Sequence, residues 1–151
     1  MSEPTLRAAR FAELTAAELY ALLRLRVDVF VVEQECPYPE LDGRDPEPGT
    51  VHLWVEADGK PVATLRLLDD GDAAAIGRVA TAAGHRGRGY AATLMRAALD
   101  RTGERRVRLS AQSYLRRWYE GFGFVVAGEE FLEDGIPHLP MVRQPGEPPT
   151  G

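Results

Sequence analysis

Between an apolar, strand-like stretch (Ile76 to Thr81) and a helical one (Tyr90 to Arg101) lies the run Arg86-Gly87-Arg88-Gly89-Tyr90-Ala91, and no other feature restricts this chain as much. Two glycines let the backbone turn sharply and approach an anion with no Cβ in the way. The helix that follows points its unpaired N–H groups and the positive end of its dipole at the same place. Arg86 and Arg88 add charge-assisted hydrogen bonds. The run suits a polyphosphate, although a tight strand-to-helix turn also needs glycines for steric reasons alone. It lacks the Gly-Lys-Ser/Thr ending of a nucleotide P-loop and the Gly-x-Gly-x-x-Gly of a dinucleotide fold.

A chain of 151 residues with 44% apolar content is long enough to bury a core of its own. We expect one domain over residues 1–143 and a disordered tail over 144–151, where proline and glycine crowd together. Residues 1–30 hold no uninterrupted apolar block of the signal-peptide kind, and no stretch approaches the ~20 apolar residues of a membrane span. A cytoplasmic protein without a membrane partner is the expectation. The single Cys36 excludes an internal disulfide, and three scattered histidines make no Cys/His cluster, so no metal is expected.

Charge is unevenly spread. From Ile76 to Trp118 ten arginines face only Asp100 and Glu104, although the whole chain carries a net charge of −5. One region is thus arranged to attract an anion. Arginines on solvated faces would give the same count, since Lys60 is the only lysine. The aromatic interleaving that stacks single-stranded nucleic acid is missing, which argues against such a partner.

The element order is mixed α/β. Leu6 to Phe11 reads as a short strand. Thr15-Ala16-Ala17-Glu18 reads as a capping box, opening a helix over residues 16–30 with Leu19, Leu22, Leu23, Val27 and Phe30 at helical spacing. Glu33 to Thr50, rich in proline, glycine and acids, is irregular, and a loop of that length is functional or mobile. Three antiparallel strands follow: one from Val51 to Ala57, one from Pro61 to Leu68 after the Asp58-Gly59 hairpin signal, and one from Ala74 to Thr81. The helix after the glycine run is capped by Gly103, and Val107 to Ala111 then returns parallel to the preceding strand through a right-handed crossover. Tyr114 to Gly121 reads as a short helix, Phe124 to Ala127 and His138 to Val142 as strands.

These residues, taken together, resemble a family. The strand Ile76 to Thr81, the Arg86 to Ala91 turn matching Arg/Gln-x-x-Gly-x-Gly/Ala, the strand to Gln112, and Trp118-Tyr119-Glu120-Gly121-Phe122-Gly123-Phe124 resemble the GNAT acyltransferase superfamily. The stretch from Leu25 to Asp45, with Asp134-Gly135-Ile136-Pro137-His138, is similar to its ElaA-like branch.

The resemblance implies an α+β fold: a mixed, mainly antiparallel sheet splayed between its fourth and fifth strands and flanked by helices, with acetyl-CoA in the opening. Arg86, Gly87, Arg88, Gly89, Tyr90 and Ala91 would cradle the pyrophosphate. The main chain of Val79 and Thr81 would pair with the pantetheine arm, and Gln112, where many relatives carry Asn, would contact it too. Members are often homodimers.

Direct acetylation of a primary amine needs three things. The amine is mostly ammonium at neutral pH, so a base must take its proton. Glu33, which follows the first helix, His52 and His138 are the candidates, and a water chain is the remaining option. The oxyanion needs a preorganised N–H, which a bulged strand would supply at Val79 or Ala80. The leaving thiolate needs a proton donor, and Tyr119 matches the family's tyrosine acid, although a core aromatic beside Trp118 and Phe124 would look the same. The acceptor is a small-molecule or protein amine, and the acids Glu40, Asp42 and Asp45 offer a landing place if it is cationic. Arg26 interrupts the apolar stripe of its helix and is expected to pair with one of these acids. Cys36, with no histidine beside it in sequence, is a poor candidate for an acyl carrier. Two other functions fit less of the chain: a non-catalytic acyl-CoA sensor, and an acyl transfer akin to acyl-homoserine-lactone synthases, which Arg26 to Phe30 and the following acids echo.

Overall fold

Eight strands form one sheet in the order β1-β2-β3-β4-β5-β8-β6, with β7 paired to β8, in a computed structural model that describes residues 3–144. The tail expected over 144–151 lies, Gln144 apart, outside the described residues. The strands are β1 (Thr5–Arg10), β2 (Val51–Ala57), β3 (Lys60–Asp69), β4 (Ala74–Thr81), β5 (Val107–Gln112), β6 (Val125–Val126), β7 (Phe131–Glu133) and β8 (Ile136–Arg143). The helices are α1 (Ala16–Val27), α2 (Tyr90–Thr102) and α3 (Arg116–Glu120).

Local chemistry accounts for the punctuation. Glu18 N–H donates to Thr15 Oγ1 at 3.0 Å and Thr15 N–H to Glu18 Oε1 at 2.9 Å, the reciprocal capping box at the start of α1. These bonds, the main-chain one first, hold the Glu18 carboxyl below its usual range. The helix expected to reach residue 30 ends sooner: α1 stops at Val27 and continues as π-helix over Asp28–Glu33. Both central residues of the β2–β3 hairpin, Asp58 and Gly59, have positive φ, as a tight two-residue turn requires. Asp134 and Gly135 repeat that conformation between β7 and β8.

Side-chain alternation puts Leu53, Val55, Ala63, Leu65 and Leu67 of β2 and β3 on the face covered by α2, where they pack with Leu94, Met95 and Ala98. His52, Thr64 and Arg66 alternate with them and are also buried, because the irregular segment after α1 roofs the other face.

Two departures from regular pairing shape the molecule. The first is a bulge in β4: Thr64 pairs with Ala80 and Arg66 with Gly77, so Arg78 and Val79 share the single partner Leu65. One extra residue reverses which side chains face which way. Before it, Ala74 and Ile76 join the core under α2; after it, Val79 packs on that core, and Ala80 turns to Leu25 and Val29 on the α1 side. The bulge carries Arg78 at φ 53°, a left-handed conformation that costs an L-residue roughly 1–2 kcal/mol. The second departure lies between β4 and β5, which pair in parallel only at Ala74 with Val107 and Ala75 with Arg108. Beyond that point β5 is paired along its length to β8, and the two strands part.

Candidate active site

The parting of β4 and β5 opens a cleft of about 850 Å³. One wall is β4 from Ala75 to Thr81, and the other is Arg108, Leu109, Ser110 and Gln112 of β5 with His138 and Pro140 of β8. From Ile76 onward the β5-facing edge of β4 has no strand partner, so its main-chain groups are available to a ligand.

At one end of the cleft stand Arg86 and Ala91. Gly89 caps α2 in the left-handed region (φ 79°), and no side chain bonds the first amides of the helix. Those donors are free in the sense an anion site requires. Gly87 has φ 78°, and at neither glycine would an added Cβ meet another atom within 4 Å. The glycines are therefore needed for backbone conformation and not for clearance. Arg86 Nε donates to the Thr81 carbonyl at 3.1 Å, while its Nη2 lies 2.6 Å from Glu33 Oε2. Gly87, Arg88, Gly89 and Tyr90 stand outside the cleft lining: Arg88 reaches His85 at 3.4 Å, and the Tyr90 ring packs on the core.

Midway, Tyr119 lines the cleft with only 6% of its surface exposed, edge-on to Trp118 and Phe124. Burial, with a smaller contribution from Tyr114, pushes its phenol up to about 12. It keeps its proton at any physiological pH. Across the cleft, His138 is register partner to Gln112 and stacks on Phe131 at 5.8 Å. Its Nδ1 donates to the Ile136 carbonyl at 2.7 Å, so Nε2, 3.7 Å from Glu133 Oε2, is the ring nitrogen left to exchange a proton. Gln112 Nε2 donates to Gln34 Oε1 at 3.4 Å.

His52 is elsewhere. It is buried outside the cleft, its Nε2 donating to the Asp45 carbonyl at 3.2 Å. Burial, reinforced by Arg26 and Arg66, lowers its pKa against the opposing pull of Asp45. It is a neutral structural residue, which corrects its candidacy as the base.

A second correction concerns the acidic segment. Glu40 and Asp45 are buried with Arg26, whose side chain is 2% exposed: Arg26 Nε donates to Glu40 Oε2 at 2.7 Å and Nη1 to Asp45 Oδ1 at 2.7 Å. The expected pairing of Arg26 with these acids is thus present. Arg66 bonds Asp42 and Asp45, and Arg78 Nε donates to Glu40 Oε2 at 2.9 Å. Burial alone would raise the Asp45 carboxyl, but Arg26 and Arg66 hold it low; for Asp42 the Arg66 hydrogen bonds dominate in the same direction. Burial and the carboxylate of Glu40, to which Tyr38 donates, keep the Tyr38 phenol protonated. The three acids expected to meet a cationic acceptor are already neutralised by arginines of the same chain.

A single sheet prised apart at its centre, with a bulged strand on one lip and an uncapped helix end above it, is specific enough to compare. Residues 24–144 match the Acetyltransferase (GNAT) domain. The chain belongs to the GNAT acyltransferase superfamily. It is 50% identical over 136 residues to a UPF0039 protein of Mycobacterium tuberculosis, spanning 87% of each chain. To protein ElaA of Escherichia coli it is 39% identical over 140 residues, covering 88% of this chain and 92% of ElaA. The crystal structure of that ElaA superposes with a TM-score of 0.88 over 94% of this chain and all of the other. An acyl-CoA N-acyltransferase from Pseudomonas aeruginosa superposes with a TM-score of 0.90 at 44% identity, covering 93% of this chain and 99% of that one. These relatives make it a member of the ElaA-like branch.

Within this GNAT chain the expected site residues divide into three groups. Val79, Thr81, Arg86, Ala91, Gln112, Tyr119, Glu33 and His138 all line one cleft; Gly87 to Tyr90 shape its end through the backbone; His52 does not line it. Sequence reasoning missed Glu133 and Phe131, which flank His138 from β7. The Asp134-Gly135 pair was the signal for that hairpin. Among the described residues no group of three or more His, Cys, Asp or Glu is placed to hold a metal ion, and no helix is long and apolar enough to cross a membrane.

Proposed function

We propose that this GNAT protein transfers an acetyl group from acetyl-CoA directly to a primary amine, with His138 as base and Tyr119 as proton donor. The observation that carries the reading is the cleft itself, which joins in one continuous space the uncapped head of α2 at Ala91, an unpaired strand edge, a buried protonated phenol and an imidazole whose Nδ1 is already committed. The diphosphate of the donor lies on the amides of Gly89 to Ala91 and the Arg86 guanidinium. Its pantetheine arm extends β5-ward along the free edge of β4 at Val79 and Thr81, with Gln112 opposite.

His138 Nε2 takes a proton from the ammonium, and the freed nitrogen attacks the thioester carbonyl. The carbonyl oxygen takes up negative charge, which the main-chain N–H set free by the β4 bulge stabilises. As the carbon–sulfur bond breaks, the nitrogen releases its second proton to solvent to give the amide, and Tyr119 donates a hydrogen bond to the departing thiolate. A phenol at about 12 does this without surrendering its proton fully, since a thiol ordinarily titrates near 8.5. Glu33 is less suited to act as the base, because Arg86 already holds its carboxylate.

Two measurements test the reading. Calorimetry should show coenzyme A binding, and thiol release from acetyl-CoA across a panel of primary amines should depend on the amine. Saturable binding with no amine-dependent release would favour a sensor instead, and no binding at all would refute both.

A further inference from the structure

We infer that Arg78 is a positioning residue, whose side chain, clamped by Glu40, holds the β4 bulge in the shape that presents its free N–H to the cleft. The inference rests on the acyl-transfer reading above and adds a residue to it. A bulge of this kind is usually built on glycine, because the extra residue sits in the left-handed region. Here a large cation occupies that position at φ 53°, and something must hold it there.

The structure provides a buried clamp. Arg78 Nε donates to Glu40 Oε2 at 2.9 Å, its Nη2 to the Glu40 carbonyl at 3.1 Å, and its guanidinium lies 5.5 Å from the centre of the Tyr38 ring. Glu40 cannot drift, because its side chain is 3% exposed and Arg26 of α1 grips the same oxygen at 2.6 Å. Tyr38 donates to the other oxygen. The chain of contacts therefore runs from α1 through Glu40 to the residue of the bulge that sits in the left-handed region. Arg78 lines the cleft, but its Nε and Nη2 are committed to Glu40 and Asp42. Its role is to fix the backbone.

Substitution at this one site separates the possibilities. Without the clamp, alanine has no reason to stay left-handed, whereas glycine pays nothing to do so. Arg78→Ala should lower kcat about tenfold or more with the coenzyme A dissociation constant within about twofold of the parent. Arg78→Gly should recover most of that kcat. The amide resonances of Val79 and Ala80 should move in the alanine variant and stay near parental positions in the glycine variant, a readout that needs no turnover. Glycine as slow as alanine would mean that the guanidinium itself is required, and an alanine variant with parental kcat would mean that the bulge holds itself; either overturns the inference. Loss of coenzyme A binding by the parent would instead refute the acyl-transfer reading, leaving the resonance comparison to decide on the clamp.

Discussion

Arg86 and Glu33 close on each other over the mouth of the cleft, Nη2 to carboxylate at 2.6 Å, from positions 53 residues apart in sequence. On the proposed reading, the carboxylate occupies the guanidinium that the donor's diphosphate would use. Both side chains are exposed by 40% or more, so the pair is worth little, about 0.2–1 kcal/mol. Glu33→Gln should therefore tighten coenzyme A binding by about two- to fivefold at low salt, with the gain shrinking as salt is raised. Titration calorimetry at two ionic strengths checks this. Weaker binding would make Glu33 a donor ligand and not a competitor.

Gly89 carries the turn at φ 79° with open space around it. Alanine there meets a conformational penalty of roughly 1–2 kcal/mol and no collision. We expect Gly89→Ala to lower Tm by about 2–8 °C and to weaken coenzyme A binding about tenfold. Unchanged affinity would show that the amides at the head of α2 do not carry the diphosphate.

In the proposed reaction Tyr119 and His138 serve opposite ends of the transfer, the leaving thiolate and the incoming amine. Tyr119→Phe and His138→Gln should each cut turnover by about 10²–10⁴-fold while leaving the coenzyme A dissociation constant in place. Steady-state kinetics beside calorimetry reads both. A phenylalanine variant with normal turnover would remove Tyr119 from the chemistry, and normal turnover in His138→Gln would return the base to Glu33 or to water.

His52 makes folding sensitive to mild acid. Burial first, then the neighbouring arginines, lower its pKa in the folded chain below the ordinary value of about 6.5. The neutral ring's contribution is full above that ordinary value and is lost as pH falls toward the folded one, since the unfolded chain binds the proton first. Urea unfolding at pH 7.5 and 5.5 should show the parent losing more stability on acidification than His52→Gln. Equal losses would contradict the assignment.

Much of this was legible in the sequence where the signal is periodic or local. Alternation at Val51, Leu53 and Val55 and the Thr15 to Glu18 box were read correctly because each depends on neighbours within a few residues. Arg26 was readable as well, since a cation on an apolar stripe needs an anion. His52 was not, because β2 shows the same alternation whether the polar face meets water or a roof. The roof here is the segment after α1, whose inward turn depends on contacts between Arg66 and Asp42, 24 residues apart. The π-helical end of α1 left no mark in composition, and the β7–β8 hairpin was passed over despite its Asp-Gly turn, because three exposed residues make a weak strand.

Only two residue pairs, at Ala74 and Ala75, stitch the first four strands to the rest of the sheet. The cleft is consequently a seam left unfinished by the strand pairing itself. Each further rung, Ile76 with Leu109 and then Gly77 with Ser110, would narrow the cleft while making the sheet more regular.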